Sequence, residues 1–358
     1  MARRTEAAPA PPAPDDPADR VRGKHKRVNL ALQGGGSHGA FTWGVCERLL
    51  EEPRLDIDSI SGTSAGAMNG AVLAAGFAQG GRQGAIAALD AFWRAIAEAG
   101  AFSLIQRSWW DKLVGNFRLD ASPAYAFLDL LNRVLSPYQL NPAGVHPLRP
   151  ILERQIDFDM LRHSSPIRLH VGATNVRTGK VKVFSGAEVT VDALLASACL
   201  PFMFKAVRID GEIYWDGGYM GNPAIFPLAY QSDCQDVVIV QINPLRRDEE
   251  PTTAREIIER VNEISFNSTL MREMRAIHFV ARLVDAGKLD PAEYKKLHVH
   301  MIETDALKDL GASSKLTTDL AFLLHLRGLG RQVAGDWLDA SFAAIGERST
   351  VDLAQVFL

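Results

Sequence analysis

The sequence lacks the features that mark a membrane-spanning, secreted or nucleic-acid-binding protein. It has no run of about 18 consecutive apolar residues, so it predicts no transmembrane helix. Its first residues include two arginines but no apolar segment of the kind that a secretory signal needs. Lys and Arg total 39 against 42 Asp and Glu, so there is no basic excess to attract nucleic acid. We therefore expect a cytoplasmic protein without a nucleic-acid partner, and leave peripheral contact with a membrane or lipid surface open.

Cysteine is equally scarce. Cys46, Cys199 and Cys234 are odd in number and far apart, which argues against a disulfide framework or a zinc site and fits a reducing compartment. With 358 residues, 47% of them hydrophobic, the chain can bury a sizeable core without such links. His298 and His300 alternate and could supply two metal ligands, but no third accompanies them. We expect neither a metal nor an organic cofactor.

The order of apolar segments predicts an α/β fold. Residues 1–26 are rich in Pro, Ala and charge, and we predict a disordered tail there. Two strand–loop–helix units follow, from "RVNLALQ" and from "DIDSI", and such alternation is typical of a parallel sheet. Two hairpins and the apolar strand "DVVIVQINP" come next. Composition shifts after that strand, so we predict one domain over 27–245 and a mostly helical region over 246–358.

The first chemical motif is Gly62-Thr63-Ser64-Ala65-Gly66, which fits the G-x-S-x-G pattern of serine nucleophiles. It lies between a predicted strand and a predicted helix, where a sharp turn would present the Ser64 hydroxyl. A hydroxyl is a weak nucleophile until a neighbouring base activates it, so a partner is required. Five residues also match by chance, and the motif alone does not decide the function.

A glycine-rich loop follows the first predicted strand. It lacks the Lys-Ser/Thr ending of a nucleotide-binding loop and does not form a full dinucleotide fingerprint. Consecutive glycines can instead aim backbone N–H groups into one cavity and hold an oxyanion, while a tight turn is the plain alternative. The loop consists of Gly34, Gly35, Gly36, Ser37, His38 and Gly39.

A third motif, Asp216-Gly217-Gly218, ends the second hairpin. An Asp-Gly pair is commonly a turn. In this order, however, the three motifs resemble those of the patatin-like phospholipases. The segment "ASACLP", with Pro201, resembles a further motif of that family. The resemblance covers about residues 28–235, and "MREMRAIHF" and "SSKL" look like the C-terminal extension of one bacterial branch.

This resemblance implies a three-layer α/β sandwich with a mostly parallel central sheet and a helical C-terminal region. It implies a Ser-Asp dyad in which Ser64 is the nucleophile and Asp216, 152 positions later, is the base and then the acid. The loop's N–H groups would form the oxyanion hole. The supporting residues of the two other motifs are Gly62, Gly66, Gly217 and Gly218.

The function implied is a serine lipid acyl hydrolase, a phospholipase A-type enzyme or esterase with a lipid or ester substrate. An esterase or depolymerase of other polyesters, such as storage granules, would use the same chemistry. A third hypothesis is a regulatory lipid-binding protein on a hydrolase fold, and the intact Ser64, Asp216 and glycine loop argue against it. The sequence predicts no oligomeric state.

Two positions keep alternatives open. The family resembled usually has Arg or Lys where this chain has His38, whose ring could donate a hydrogen bond, orient the loop or act as the base. The pair Trp109-Trp110, followed by a lysine, suits a lipid headgroup region or a packed core equally well.

Overall fold

The structure is a computed structural model that describes residues 25–101, 134–308 and 310–358. Residues 1–24 of the predicted tail and the Trp109-Trp110 pair lie outside these ranges. The strands of the described chain are β1 (Lys26–Leu32), β2 (Leu55–Thr63), β3 (Arg168–Asn175), β4 (Val181–Ser185), β5 (Val207–Ile209), β6 (Glu212–Asp216), β7 (Asp236–Val240) and β8 (His298–Ile302).

Helices follow or connect these strands, and short 3-10 turns join them. A pair of non-helical glycines, Gly80 and Gly81, interrupts the second helix. The α-helices of the described chain are α1 (Gly39–Leu50), α2 (Ala65–Ala101), α3 (Pro137–Leu140), α4 (Arg149–Gln155), α5 (Phe158–His163), α6 (Val191–Ser197), α7 (Phe226–Gln231), α8 (Ala254–Asp285), α9 (Leu320–Ser341) and α10 (Leu353–Phe357).

All eight strands form one sheet. Its parallel part has the order β8-β7-β1-β2-β3, and the predicted strand–loop–helix units and hairpins are present. One side of the sheet packs against α1, α2 and α9, and the other side against α7, α8 and α10. Neighbouring β1 residues divide between the two cores, Leu30 to the first and Ala31 to the second. The predicted three-layer α/β sandwich is therefore confirmed.

Strand β3 brings β2 and β6 together. Its residues 170–174 pair with β4 along one edge. Along the opposite edge, Thr63 at the end of β2 pairs with Gly172, and Asp216 at the end of β6 pairs with the next residue, Ala173. Because β2 runs parallel to β3 and β6 runs antiparallel, the two strands point at each other and their carboxyl ends meet at adjacent positions.

The C-terminal region is mostly helical, as predicted, and it also contributes one strand. Strand β8 pairs in parallel with β7 and extends the central sheet. The predicted boundary after residue 245 therefore falls inside one sheet. Strand β1 also starts at Lys26, one residue before the predicted domain. Within the described ranges, no helix combines the length and apolar character needed to cross a membrane.

Helices α1 and α9 approach each other closely through glycine. A Cβ atom added at Gly44 of α1 would lie 2.0 Å from the Arg327 carbonyl oxygen, and one at Gly330 of α9 would lie 2.1 Å from the Phe41 carbonyl oxygen. The buried Glu47 carboxylate also accepts a 2.7 Å hydrogen bond from Arg327 Nε. Helix α9 thus packs tightly against α1, the helix that follows the glycine loop.

We predict that Gly330→Ala destabilises the protein by about 1–3 kcal/mol, because the new methyl group would overlap the backbone of α1. Gly328→Ala on the same helix is the matched control, since a Cβ there meets nothing within 4 Å. It should stabilise the protein by up to about 1 kcal/mol through helix propensity. Chemical denaturation of both variants tests this, and equal stability of the two would refute the close helix contact.

Candidate active site

Ser64 sits on a sharp turn between β2 and α2. Its φ is 52°, in the left-handed region that non-glycine residues rarely adopt. The Ser64 N–H donates a 2.9 Å hydrogen bond to Ser197 Oγ, and the Ser197 hydroxyl donates one of 2.6 Å to the Gly172 carbonyl. These hydrogen bonds hold the turn in a backbone conformation that costs about 1–3 kcal/mol. Ser64 remains half-exposed at the start of a long helix.

The glycines that flank Ser64 are required by space. A Cβ at Gly66 would lie 2.1 Å from the Leu32 carbonyl oxygen, so α2 packs directly on the end of β1. A Cβ at Gly62 would lie 2.7 Å from the Ala67 nitrogen and so collide with the first turn of the helix. The spacing of the motif therefore reflects the tight fold-back of the helix on the strands.

Asp216 lies at the meeting point of β2 and β6, where only 2% of its surface is exposed. Its Oδ1 accepts a 2.7 Å hydrogen bond from the Gly218 N–H, and the Ser64 side chain lies close enough to lower the pKa of the carboxyl. Gly217 permits this approach, because a Cβ there would lie 2.2 Å from the Gly172 carbonyl oxygen. Gly218 is pressed against Phe266 of α8, whose ring would lie 2.1 Å from an added Cβ.

Burial raises the pKa of Asp216 from 3.8 to about 7. The hydrogen bonds from Gly218 and Ser64 act in the opposite direction but do not offset the loss of hydration. A carboxyl with this pKa exchanges its proton near neutral pH, which is the property that a general acid–base group needs.

The glycine loop lies beside Ser64. A Cβ at Gly34 would lie 2.8 Å from the Ser64 Cβ. Gly36 has a φ of 58°, and a Cβ there would lie 2.4 Å from the Lys315 carbonyl oxygen. Gly35 has an extended φ of 176°, so it is needed for space beside Ile242 and not for its backbone angle. Each glycine of the run thus meets a different constraint.

Several N–H groups of the loop are already engaged. Gly34 donates a 2.7 Å hydrogen bond to Asn222 Oδ1, His38 donates one of 3.2 Å to the Gly35 carbonyl, and Gly39 donates within the 3-10 turn. Among the described residues, the N–H groups of Gly35, Gly36 and Ser37 have no hydrogen-bond partner. The whole loop was predicted to supply oxyanion donors, but only these three N–H groups are available.

His38 is buried and points to the C-terminal region. Its Nε2 lies 2.7 Å from Ser314 Oγ, and the Ser314 hydroxyl donates to the Gly311 carbonyl, so Nε2 is the donor. Burial, and next the charge of Lys315, lower the pKa of His38 to about 3. No hydrogen bond within the described chain joins His38 to Ser64. These contacts suit a neutral ring that orients the loop better than a proton acceptor for Ser64.

Sequence reasoning did not single out the polar residues that support the site. Ser197 lies inside the quoted "ASACLP" segment, but nothing there marked its hydroxyl as the support of the Ser64 turn. The Asn222 side-chain oxygen accepts a hydrogen bond from the Gly34 N–H, and Asn243 Nδ2 donates a 2.8 Å hydrogen bond to the Gly34 carbonyl. Both asparagines lie in irregular segments without a motif, so only the fold reveals them.

The predicted pair of alternating histidines lies away from Ser64, on β8. His300 Nε2 is 2.9 Å from Asp236 Oδ1 and its Nδ1 is 3.0 Å from Thr350 Oγ1. Within the described ranges, no three His, Cys, Asp or Glu side chains cluster as metal ligands would. The contact with Thr350 connects the C-terminal segment to the edge strand β8.

The raised pKa of Asp216 makes a prediction about stability. Between its ordinary value of 3.8 and about 7, the folded protein binds this proton more tightly than the unfolded chain does. Stability contributed by Asp216 is therefore lost as pH rises through that window. Asp216→Asn keeps the shape without the charge. It should gain stability relative to the wild type with rising pH, by at most about 4 kcal/mol above pH 7.

Denaturation midpoints of the two proteins across this pH range provide the measurement. A difference between them that does not change with pH would show that Asp216 titrates like an exposed carboxyl.

The family model for patatin-like phospholipase matches residues 30–229. Uncharacterized NTE family proteins of Mycobacterium bovis and Mycobacterium tuberculosis are 29% identical over 259 residues, which is 70% of this chain and 59% of each relative. The chain therefore spans less than two thirds of the length of these curated relatives.

Two solved structures align with 88% of this chain at low identity. VipD from Legionella pneumophila is 15% identical, with a TM-score of 0.39 and 67% of its own chain covered. The type III effector protein ExoU is 16% identical, with a TM-score of 0.34 and 54% covered. The family match, which spans more than half of the chain and includes Ser64 and Asp216, shows that this protein belongs to the patatin-like phospholipase family.

Proposed function

We propose that the protein is a serine lipid acyl hydrolase, a phospholipase A-type enzyme or esterase, that uses Ser64 and Asp216 as a dyad. One observation carries the proposal: the Ser64 side chain lies close enough to the buried Asp216 carboxyl to lower its pKa, which burial nevertheless raises to about 7. A glycine loop with three unpartnered N–H groups lies against the same serine. The phospholipid class of substrate is inferred from the family.

The proposed reaction has two steps. In the first, Asp216 accepts the Ser64 proton while Oγ attacks the ester carbonyl carbon, and the oxyanion is held by N–H groups of Gly35, Gly36 and Ser37. Collapse of the intermediate breaks the ester bond, and Asp216 returns the proton to the leaving alcohol. In the second step a water gives its proton to Asp216 and attacks the acyl-enzyme. The released Ser64 oxygen then regains a proton from Asp216.

The site geometry supports an enzyme over a lipid-binding protein on a hydrolase fold. A lipid-binding protein needs neither a serine in the left-handed backbone region nor a buried carboxyl, and both features reduce the stability of the fold. A polyester depolymerase would use the same mechanism. Hydrolysis rates on a panel of phospholipids, simple esters and polyester granules would therefore identify the substrate class.

We predict that Ser64→Ala abolishes both ester hydrolysis and labelling by a fluorophosphonate probe, because it removes the attacking oxygen. Asp216→Asn should lower turnover by about 10²-fold or more, because an amide cannot accept the proton. His38→Ala is the comparison that separates the two bases. If it eliminates turnover while Asp216→Asn retains it, the base is the histidine and the dyad is wrong.

We predict that Gly35→Ala lowers turnover by about 10²–10³-fold, because its Cβ would lie 2.8 Å from Ile242 Cγ2 and displace the loop's N–H groups. Gly70→Ala is the matched control. Its Cβ would lie 2.9 Å from Ile60 Cγ2, an equivalent overlap on the helix α2 away from the loop. Initial rates and thermal melts of the two variants decide the matter. Equal turnover in both would remove the loop from the mechanism.

A further inference from the structure

A short segment of the C-terminal region lies over the glycine loop. It contains the 3-10 turn Ala312–Leu316, and we call residues 311–317 the strap. Ser314 of the strap accepts the hydrogen bond from His38, 276 positions earlier in the chain. The backbone of the next residue, Lys315, abuts Gly36, where even a methyl group would overlap its carbonyl oxygen. The strap therefore contacts the loop at two successive residues.

The Lys315 side chain reaches the loop by a second route. Its Nζ donates a 2.8 Å hydrogen bond to Asn243 Oδ1. Asn243 Nδ2 in turn donates 2.8 Å to the Gly34 carbonyl and 3.2 Å to Gln33 Oε1. Removal of the amine would leave the Asn243 oxygen without this donor and would remove one of the three hydrogen bonds that set the orientation of the amide. Lys315 thus fixes the orientation of the group that holds the first glycine of the loop.

The charge of Lys315 also acts on the loop. It contributes, after burial, to the low pKa of His38, so its positive potential is felt at the end of the glycine run. Burial lowers the pKa of Lys315 itself, Glu263 and Glu259 of α8 raise it, and Arg247 lowers it. His38 is mostly neutral above about pH 3, so positive charge beside the loop can come from the strap but not from the loop's own side chain.

We infer that Lys315 is a positioning residue for the oxyanion hole: through Asn243 and the contact at Gly36 it holds the loop's N–H groups in place, and its ammonium adds positive charge beside them. This inference rests on the proposed function, because it assigns the strap a role in the same reaction. Donors that are fixed before the reaction stabilise an oxyanion more than donors that must reorganise. A displacement of about 1 Å can reduce turnover by about 10²-fold.

The test compares three variants of the full chain on a soluble p-nitrophenyl ester. Lys315→Met removes the amine at similar length, Lys315→Arg keeps the charge, and Lys295→Met is the matched control. Lys295 is another part-buried lysine, and its Nζ donates to the backbone carbonyls of Ser232 and Cys234, far from the loop. We expect Lys315→Met to lower kcat by about 10²-fold with KM changed by less than about threefold. Lys295→Met should keep the wild-type kcat.

The pH profile separates charge from packing. In the wild type, kcat should fall on the high-pH side of its profile as Lys315 loses its proton, and in Lys315→Arg this alkaline limb should move to higher pH because a guanidinium stays protonated. Equal loss of kcat in the Met and Arg variants, with no change in the alkaline limb, would reduce Lys315 to packing and overturn the inference. If Lys315→Met fails to fold, the limb of Lys315→Arg decides alone.

A readout that needs no turnover distinguishes this inference from the proposed function. Hydrogen–deuterium exchange of the peptide that spans the glycine loop should be faster in Lys315→Met than in Lys295→Met. Unchanged exchange would overturn the role of Lys315 even if the enzyme is active. An inactive wild-type protein that Ser64-directed probes do not label would refute the proposed function, while the exchange result would still test the strap.

Discussion

The structure depends on one constraint of the sheet, namely that β2 and β6 share a single edge of β3 and run towards each other. Thr63 and Asp216 pair with neighbouring residues of β3, so the turns that follow the two strands must meet. This meeting places Ser64 beside Asp216 although 152 residues separate them in the chain. It also explains why glycine is needed at 217, where the backbone of β3 leaves no room for a side chain.

The same constraint makes the site unfavourable for stability. A carboxyl group is deprived of water, and one backbone N–H and the Ser64 hydroxyl replace only part of its hydration. Ser64 adds a strained backbone angle that hydrogen bonds through Ser197 to β3 maintain. Both costs are tolerable because helices cover the sheet on both sides and bury a hydrophobic core on each side. The reactive state of the site and its instability therefore have a common cause.

Local patterns were sufficient to predict the elements around the site. The apolar run before the glycine loop, the strand before Ser64 and both hairpins carry signals within a few residues. Strand β8 was not predicted, because histidines occupy alternate positions at its start and its partner, β7, lies more than fifty residues away in the chain. Lys315 and Asn222 escaped for the same reason, since their roles come from contacts across the fold. His38 stands in the motif, yet its partner Ser314 lies in the C-terminal region.

The central claim is that the buried Asp216 carboxylate activates Ser64, and the rate of covalent modification of Ser64 as a function of pH tests it most directly. A fluorophosphonate reacts with the serine without a second chemical step, and peptide mass spectrometry identifies the modified residue. We expect that Ser64 is labelled, that the rate rises with pH through a single ionisation near 7, and that this ionisation disappears in Asp216→Asn. Labelling of Ser64 at a rate that keeps the same ionisation in Asp216→Asn would contradict it.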